Sequence, residues 1–202
     1  MASTNYLRLF LFSWRMIALG TLIGAILALG FSFAQPLRYS STERVLITQT
    51  NTAGIDPYTA IKSTERIAQN LVEIIYTSSF FNAVMSNSQV DPAYFPTDEI
   101  AKRKKWRETI ETNVSAGTGV MSILAYHTNR DQATELAVKV AEQLSQVAPN
   151  YFGFSVRVQI IDDPLPSRFF AKPDFLRNTL FGAVIGFLFA AAWVFGRVKS
   201  NG

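Results

Sequence analysis

The chain has 202 residues, 49% hydrophobic and 17% charged, with one histidine and no cysteine. Those figures exclude a disulfide-stapled scaffold and a cysteine-based zinc cluster, and the length suits one modest domain with accessories. The net charge of +4 sits on Arg8, Arg15, Arg197 and Lys199, near the two ends, and the segment between is neutral. The sequence pI near 9.4 is therefore no sign of nucleic-acid binding, since the basic excess is not on the domain.

Two long apolar runs bracket the chain. Met16–Ala34 ("MIALGTLIGAILALGFSFA") and Asn178–Gly196 ("NTLFGAVIGFLFAAAWVFG") contain no charge. A helix rising ~1.5 Å per residue needs about 20 such residues to cross the ~30 Å hydrocarbon core. Neither run carries the polar stripe of a soluble core helix. The first run has a competing reading as a cleaved signal peptide, with Arg8 and Arg15 as its basic start and Ser32–Ala34 ("SFA") at the cleavage spacing. A signal core spans about 7–15 residues, shorter than this run, so two anchors are expected. The basic tails place both termini in the cytoplasm and the central domain outside, although Arg38, Arg44, Arg168, Lys172 and Arg177 flank the other side.

Between the anchors, "RVLITQ" alternates as a strand. Asp56 and Pro57 then open a helix whose stripe is Ala60, Ile61, Ile67, Ala68, Leu71, Ile74 and Ile75. A shorter helix with Phe80, Phe81, Val84 and Met85 follows, capped by Ser78 or Ser79. "QVDPAYFPTD" reads as a loop, and residues 97–113 as one charged helix. Met121, Ile123 and Ala125 mark a second strand. Asn129 caps a helix with Gln132 at its capping-box position, and Ala133, Leu136, Ala137, Val140, Ala141, Leu144 and Val147 form its apolar stripe. Phe154, Val156, Val158 and Ile160 share one face of the last strand.

No set of side chains spells out catalysis, a cofactor or a metal. His127 lies at a strand end, "AGTG" (Ala116–Gly119) lacks a following lysine and helix, and adjacent Asp162 and Asp163 would point to opposite faces of a strand. The basic run Lys102, Arg103, Lys104, Lys105 and Arg107 suggests contact with an anionic glycan or lipid headgroup. Against that, Asp98–Lys102, Glu99–Arg103, Lys104–Glu108 and Arg107–Glu111 have the spacing of solvated helix ion pairs, with Trp106 and Ile110 turned to the core. Gly20, Gly24 and Ala28 line one face of the first anchor, and Gly182, Gly186 and Ala190 one face of the second. Such faces let membrane helices approach closely, so the anchors are expected to pack together. Pro164, Pro166 and Pro173 stiffen the segment before the second anchor, and are expected to keep it out of the sheet.

The fold expected is a small α/β (α+β) extracytoplasmic domain with a short mixed sheet and packed helices, flanked by two transmembrane helices. Its parts are a tail at 1–15, a first anchor at 16–34, the domain at 35–163, the proline segment at 164–177, a second anchor at 178–196 and a tail at 197–202. This order, with the strand "RVLITQ", the helices "DPYTAIKSTERIAQNLVEIIYTSSFFNAVM", the strand-helix "SILAYHTNRDQATELAVKVAEQLSQV" and the proline segment, resembles the polysaccharide co-polymerase family. These are also called Wzz or chain-length determinant proteins. The chain lacks the family's long helical extension and cytoplasmic kinase domain, and is similar to the short members found beside a separate tyrosine autokinase. The resemblance implies a non-enzymatic scaffold without cofactor or metal, forming a ring-like homo-oligomer in a bacterial plasma membrane. It would act on the length or export of a surface polysaccharide, with membrane lipid and a cytoplasmic kinase or polysaccharide polymerase as partners. A signal-cleaved, singly anchored ligand-binding domain is the reading from another class.

Overall fold

The computed structural model describes residues 13–50, 54, 56–152 and 156–200. Arg8, Phe154 and residues 51–53 and 55 lie outside them. The chain divides into a helical unit, Met1–Leu37 with Lys172–Gly202, and an α/β unit, Arg38–Ala171.

The helical unit holds α1 (Trp14–Phe33) and α6 (Phe175–Ser200). Both are long and apolar enough to span a membrane, with mean hydropathy of 2.2 over Trp14–Phe33 and 2.0 over Phe175–Gly196. They are antiparallel, since Gly20 faces Ala190 while Ala28 faces Gly182. Each helix starts a little before its uncharged run. Asp174 explains this at α6, because its carboxylate accepts the Arg177 N–H at 2.9 Å and its carbonyl the Asn178 N–H at 3.0 Å.

In the α/β unit the elements run β1 (Tyr39–Gln49), α2 (Pro57–Ile75), α3 (Ser78–Ser86), a 3-10 turn (Pro92–Tyr94), α4 (Glu99–Thr109), β2 (Ile110–Val114), β3 (Val120–His127), α5 (Arg130–Phe152), β4 (Val156–Ile160) and β5 (Leu165–Pro166). The strand order is β2-β3-β1-β4, with β5 also on β1. Every pair is antiparallel, a correction to the mixed sheet expected. The α5 crossover does join two strands of like sense, β3 and β4. β1 lies between them, however, so no parallel pair forms.

Alternation on β1 puts Ser41, Glu43, Val45 and Ile47 on one face. Register adds Met121, Ile123 and Ala125 from β3, and Val156 and Val158 from β4. The buried stripe of α5 (Ala133, Leu136, Ala137, Val140, Ala141, Leu144, Ala148) joins that face in one core with Leu71, Phe81 and Trp106. The other face carries the exposed Arg44, Glu111, Asn113, Arg157 and Gln159, together with half-buried Leu46 and Leu124 and buried Tyr126.

Local signals explain most boundaries. Asp56 accepts from the Thr59 N–H at 3.1 Å with Pro57 at the first helical position, although Ile61 is exposed rather than part of the buried stripe. Thr77, not Ser78 or Ser79, caps α3. Its backbone is extended, and its hydroxyl takes the Phe80 N–H at 3.3 Å. The helix expected over 97–113 ends at Thr109, because Ile110, Thr112 and Val114 alternate and pair with Ala125, Ile123 and Met121 as β2. Gln132 does not close a capping box. Asn129 accepts from the Asp131 and Gln132 N–H groups, while the Gln132 side chain accepts instead from Asp91 N–H at 3.4 Å.

Candidate functional sites

In the helical unit the small residues form one seam. A Cβ on Gly20 would lie 2.5 Å from the Ala190 Cβ, and one on Gly24 2.9 Å from the Gly186 Cα. Added carbons on Gly182 and Gly186 would collide with the Ala28 Cβ and the Gly20 carbonyl respectively. All six predicted residues, Gly20, Gly24, Ala28, Gly182, Gly186 and Ala190, therefore meet in one interface within the chain. Near one end, Asn178 donates to the Ser32 hydroxyl at 3.0 Å, and Phe33 lies 5.1 Å from Phe175. The outward side chains, such as Leu27, Leu188 and Phe189, are exposed. An apolar surface of that kind is stable only in a lipid environment or under a partner.

The predicted proline segment is divided. Pro164 and Pro166 belong to the α/β unit and Pro173 to the helical unit. Contrary to expectation, the segment does join the sheet. Leu165 and Pro166 pair with Thr42 and Ser41 of β1, on the side that β4 occupies further along. The Ser167 N–H then donates to the Ser40 carbonyl at 2.7 Å, and the Ala171 N–H to the Arg38 carbonyl at 2.8 Å. Proline is tolerated because β5 is an edge strand, where a missing N–H costs no ladder bond. The α/β unit accordingly includes the chain through Ala171.

Most cations of the basic helix α4 contact side chains of the same domain, although Arg103 and Arg107 stay exposed. Lys102 pairs with Glu99 at 2.6 Å and lies 5.6 Å from the centre of the Phe81 ring, and Arg103 donates to Glu99 at 3.1 Å. Ser78 also donates to Glu99, and this cluster pulls the Glu99 carboxyl down to about 2, with Lys102 the chief cause. Lys105 lies 4.4 Å from the Tyr94 ring centre and Arg107 5.4 Å from that of Tyr76. Lys104 is exposed. Two of the expected ion pairs are replaced. Asp98 caps α4 through the Ala101 N–H at 2.9 Å, and Glu108 lies 3.8 Å from Arg38. Trp106 and Ile110 are each 1% exposed, as their spacing predicts.

His127 is a buried strand-end residue, its ring 3.9 Å from that of Tyr94. Its Nδ1 accepts from the Asn129 N–H at 3.0 Å, and burial holds its pKa below the ordinary value, so the ring is neutral. The "AGTG" segment is the β2–β3 hairpin turn, with Gly117 and Gly119 at positive φ. Gly119 also passes close to β1, its carbonyl accepting from the Ile47 N–H at 2.9 Å. Among the described residues no group of three or more histidine, cysteine, aspartate or glutamate side chains is placed to hold a metal ion.

The α/β unit also buries an acid, Glu43. It stands on the core face of β1, 1% exposed, with no hydrogen-bond partner for its Oε2. Burial, reinforced by Asp162, Asp163 and Glu142, raises its pKa from the ordinary 4.5 to about 7. Its signal was present in the alternation, since Glu43 shares parity with Ser41, Val45 and Ile47. No protein-family model matches the chain, and no curated protein is significantly similar to it.

Proposed function

We propose that the chain is a two-pass membrane scaffold that self-associates and sets the length or export of a surface polysaccharide (O-antigen, capsule or exopolysaccharide), rather than an enzyme. The observation that carries this reading is the architecture. An antiparallel helical pair, apolar on its outside, is continuous at both ends with one α/β domain, and it is this order of anchors, strands and helices that carries the resemblance to the chain-length determinants drawn from the sequence. Tethering at both ends fixes a domain's orientation and raises the effective concentration of lateral contacts. Such a protein would reside in a bacterial plasma membrane, with both tails cytoplasmic and the domain outside.

The seam also bears on the signal-peptide alternative. Cleavage after Ala34 would remove Gly20, Gly24 and Ala28, and leave the small face of α6 without its partner. The test is deletion of the gene in the source bacterium, with gel analysis of surface polysaccharide and complementation by the full chain. A changed length distribution or lost export is expected, and an unchanged polysaccharide overturns the reading. Phosphotyrosine blotting of the same strains separates a scaffold from a kinase adaptor, because only an adaptor's loss abolishes phosphorylation. Joint replacement of Pro164, Pro166 and Pro173 by alanine should alter polysaccharide length while the domain still folds.

A further inference from the structure

We infer that the two edges of the sheet, β2 and β4, are complementary halves of an interface by which one copy of this chain continues the sheet of the next. The inference rests on the self-associating scaffold proposed above and names its surface. Four strands of alternating sense end in edges of opposite direction, because β2 runs with β1 while β4 runs against it. Copies inserted in one membrane with the same orientation therefore present β4 to the neighbour's β2 as an antiparallel pair.

The hydrogen-bonding groups agree with this pairing. The Ser115 N–H donates to the Val120 carbonyl at 2.8 Å, so the alternation of an antiparallel ladder turns Thr112 and Val114 outward on β2. The Ile161 N–H donates to the Arg44 carbonyl at 3.0 Å, which likewise turns Val156, Val158 and Ile160 outward on β4. All five side chains share the core-side face, so joining the edges keeps core face with core face. A register with Val158 opposite Thr112 sets Arg157 opposite Asn113 and Gln159 opposite Glu111, all exposed on the other face. Arg157 is then diagonal to Glu111, within reach of a long side chain. Ile160, 44% exposed at the β4 edge, would be covered by this neighbour. One carbonyl on the β2 edge is already engaged, since the Tyr76 hydroxyl donates to Ile110 O at 3.2 Å, and this limits pairing to the rest of the strand.

The absence of cysteine from the chain makes disulfide trapping a clean test. Asn113 and Arg157 lie on opposite edges of one sheet, separated by three strand spacings of ~4.8 Å and offset by four residues along the strands, well beyond ~14 Å and too far for a bond within one copy. Across the proposed interface they are a non-hydrogen-bonded pair, about 4.5 Å between Cα atoms and suited to a disulfide. The N113C/R157C and N113C/Q159C double variants of the full chain would be oxidised in native membranes, and the wild-type mass measured in nanodiscs. A ladder of linked species from a double variant, with none from N113C, R157C or Q159C alone, is expected. Dimers from R157C alone would mean that like edges meet, and would overturn the inference. An oligomeric wild type whose double variants fail to link overturns the interface but leaves the scaffold reading standing. A monomeric wild type overturns both.

Discussion

The helical unit and the α/β unit solve the packing problem in opposite ways. In the domain, large side chains meet: Trp106 is 1% exposed, donates its indole N–H to the Ile75 carbonyl at 2.8 Å, and sits edge-on to Phe81 with ring centres 5.1 Å apart. Water drives that burial at roughly 25 cal/mol per Å² of apolar surface. In the helical pair the contact is made where side chains are smallest, at Gly20, Gly24, Gly182 and Gly186. Lipid is as apolar as leucine, so burying a large side chain there gains little, and close backbone approach carries the association. Removing atoms should therefore damage the domain, whereas adding them should damage the helical pair.

The largest effect is expected at Trp106. Trp106→Ala leaves a cavity and an unpaired Ile75 carbonyl, at a cost of about 3–5 kcal/mol, read by denaturant unfolding of the full chain in detergent. A loss under 1 kcal/mol would show that this cluster is not the centre of the core.

Next comes Glu43, where the domain breaks its own rule by burying an acid among apolar neighbours. Its folded pKa of about 7 lies above the ordinary 4.5, so the folded state holds the proton more tightly. Stability from this group is fully present below pH 4.5 and declines as pH rises to about 7, then levels off. At ~1.4 kcal/mol per unit the decline amounts to roughly 3 kcal/mol. Glu43→Gln should flatten that slope, so the variant gains on the wild type between those pH values. Parallel unfolding curves at every pH would refute the buried-acid account.

Third is the seam. Gly182→Leu with Gly186→Leu forces atoms into the Ala28 side chain and the Gly20 backbone, and should weaken the helical pair by about 1–3 kcal/mol. Leu27→Ala, on the exposed side, should change little. A disulfide between S32C and N178C, which replace a hydrogen-bonded pair, reports the outcome. If it forms as readily in the double leucine variant, the seam does not hold the helices.

What could be read in advance follows the same division. Periodicity finds an element when its pattern is uniform, which is why the seam residues and the α5 stripe were legible. β2 was hidden because the alternating Ile110, Thr112 and Val114 directly follow a charged helix, with no glycine or proline between. The pairing of Leu165 and Pro166 with β1 was hidden for another reason. Proline forbids a ladder bond on one side only, and sequence cannot say which side of a strand is the edge. Glu43 was visible in the alternation of β1, yet its partnerless oxygen and the acids near it depend on tertiary placement.

The smallest effect separates fold from ligand in the basic helix. Lys105 lies over the Tyr94 ring, a contact worth about 0.5–1 kcal/mol, whereas Lys104 is exposed. Lys105→Met should cost about 0.5 kcal/mol. Lys104→Met should cost nothing measurable, and neither should alter co-sedimentation with anionic vesicles. A cation held over an aromatic ring of its own fold must give up that contact before it can reach a headgroup. If both variants lose vesicle binding equally without loss of stability, the run is a ligand surface after all, and the domain then touches more than its own kind.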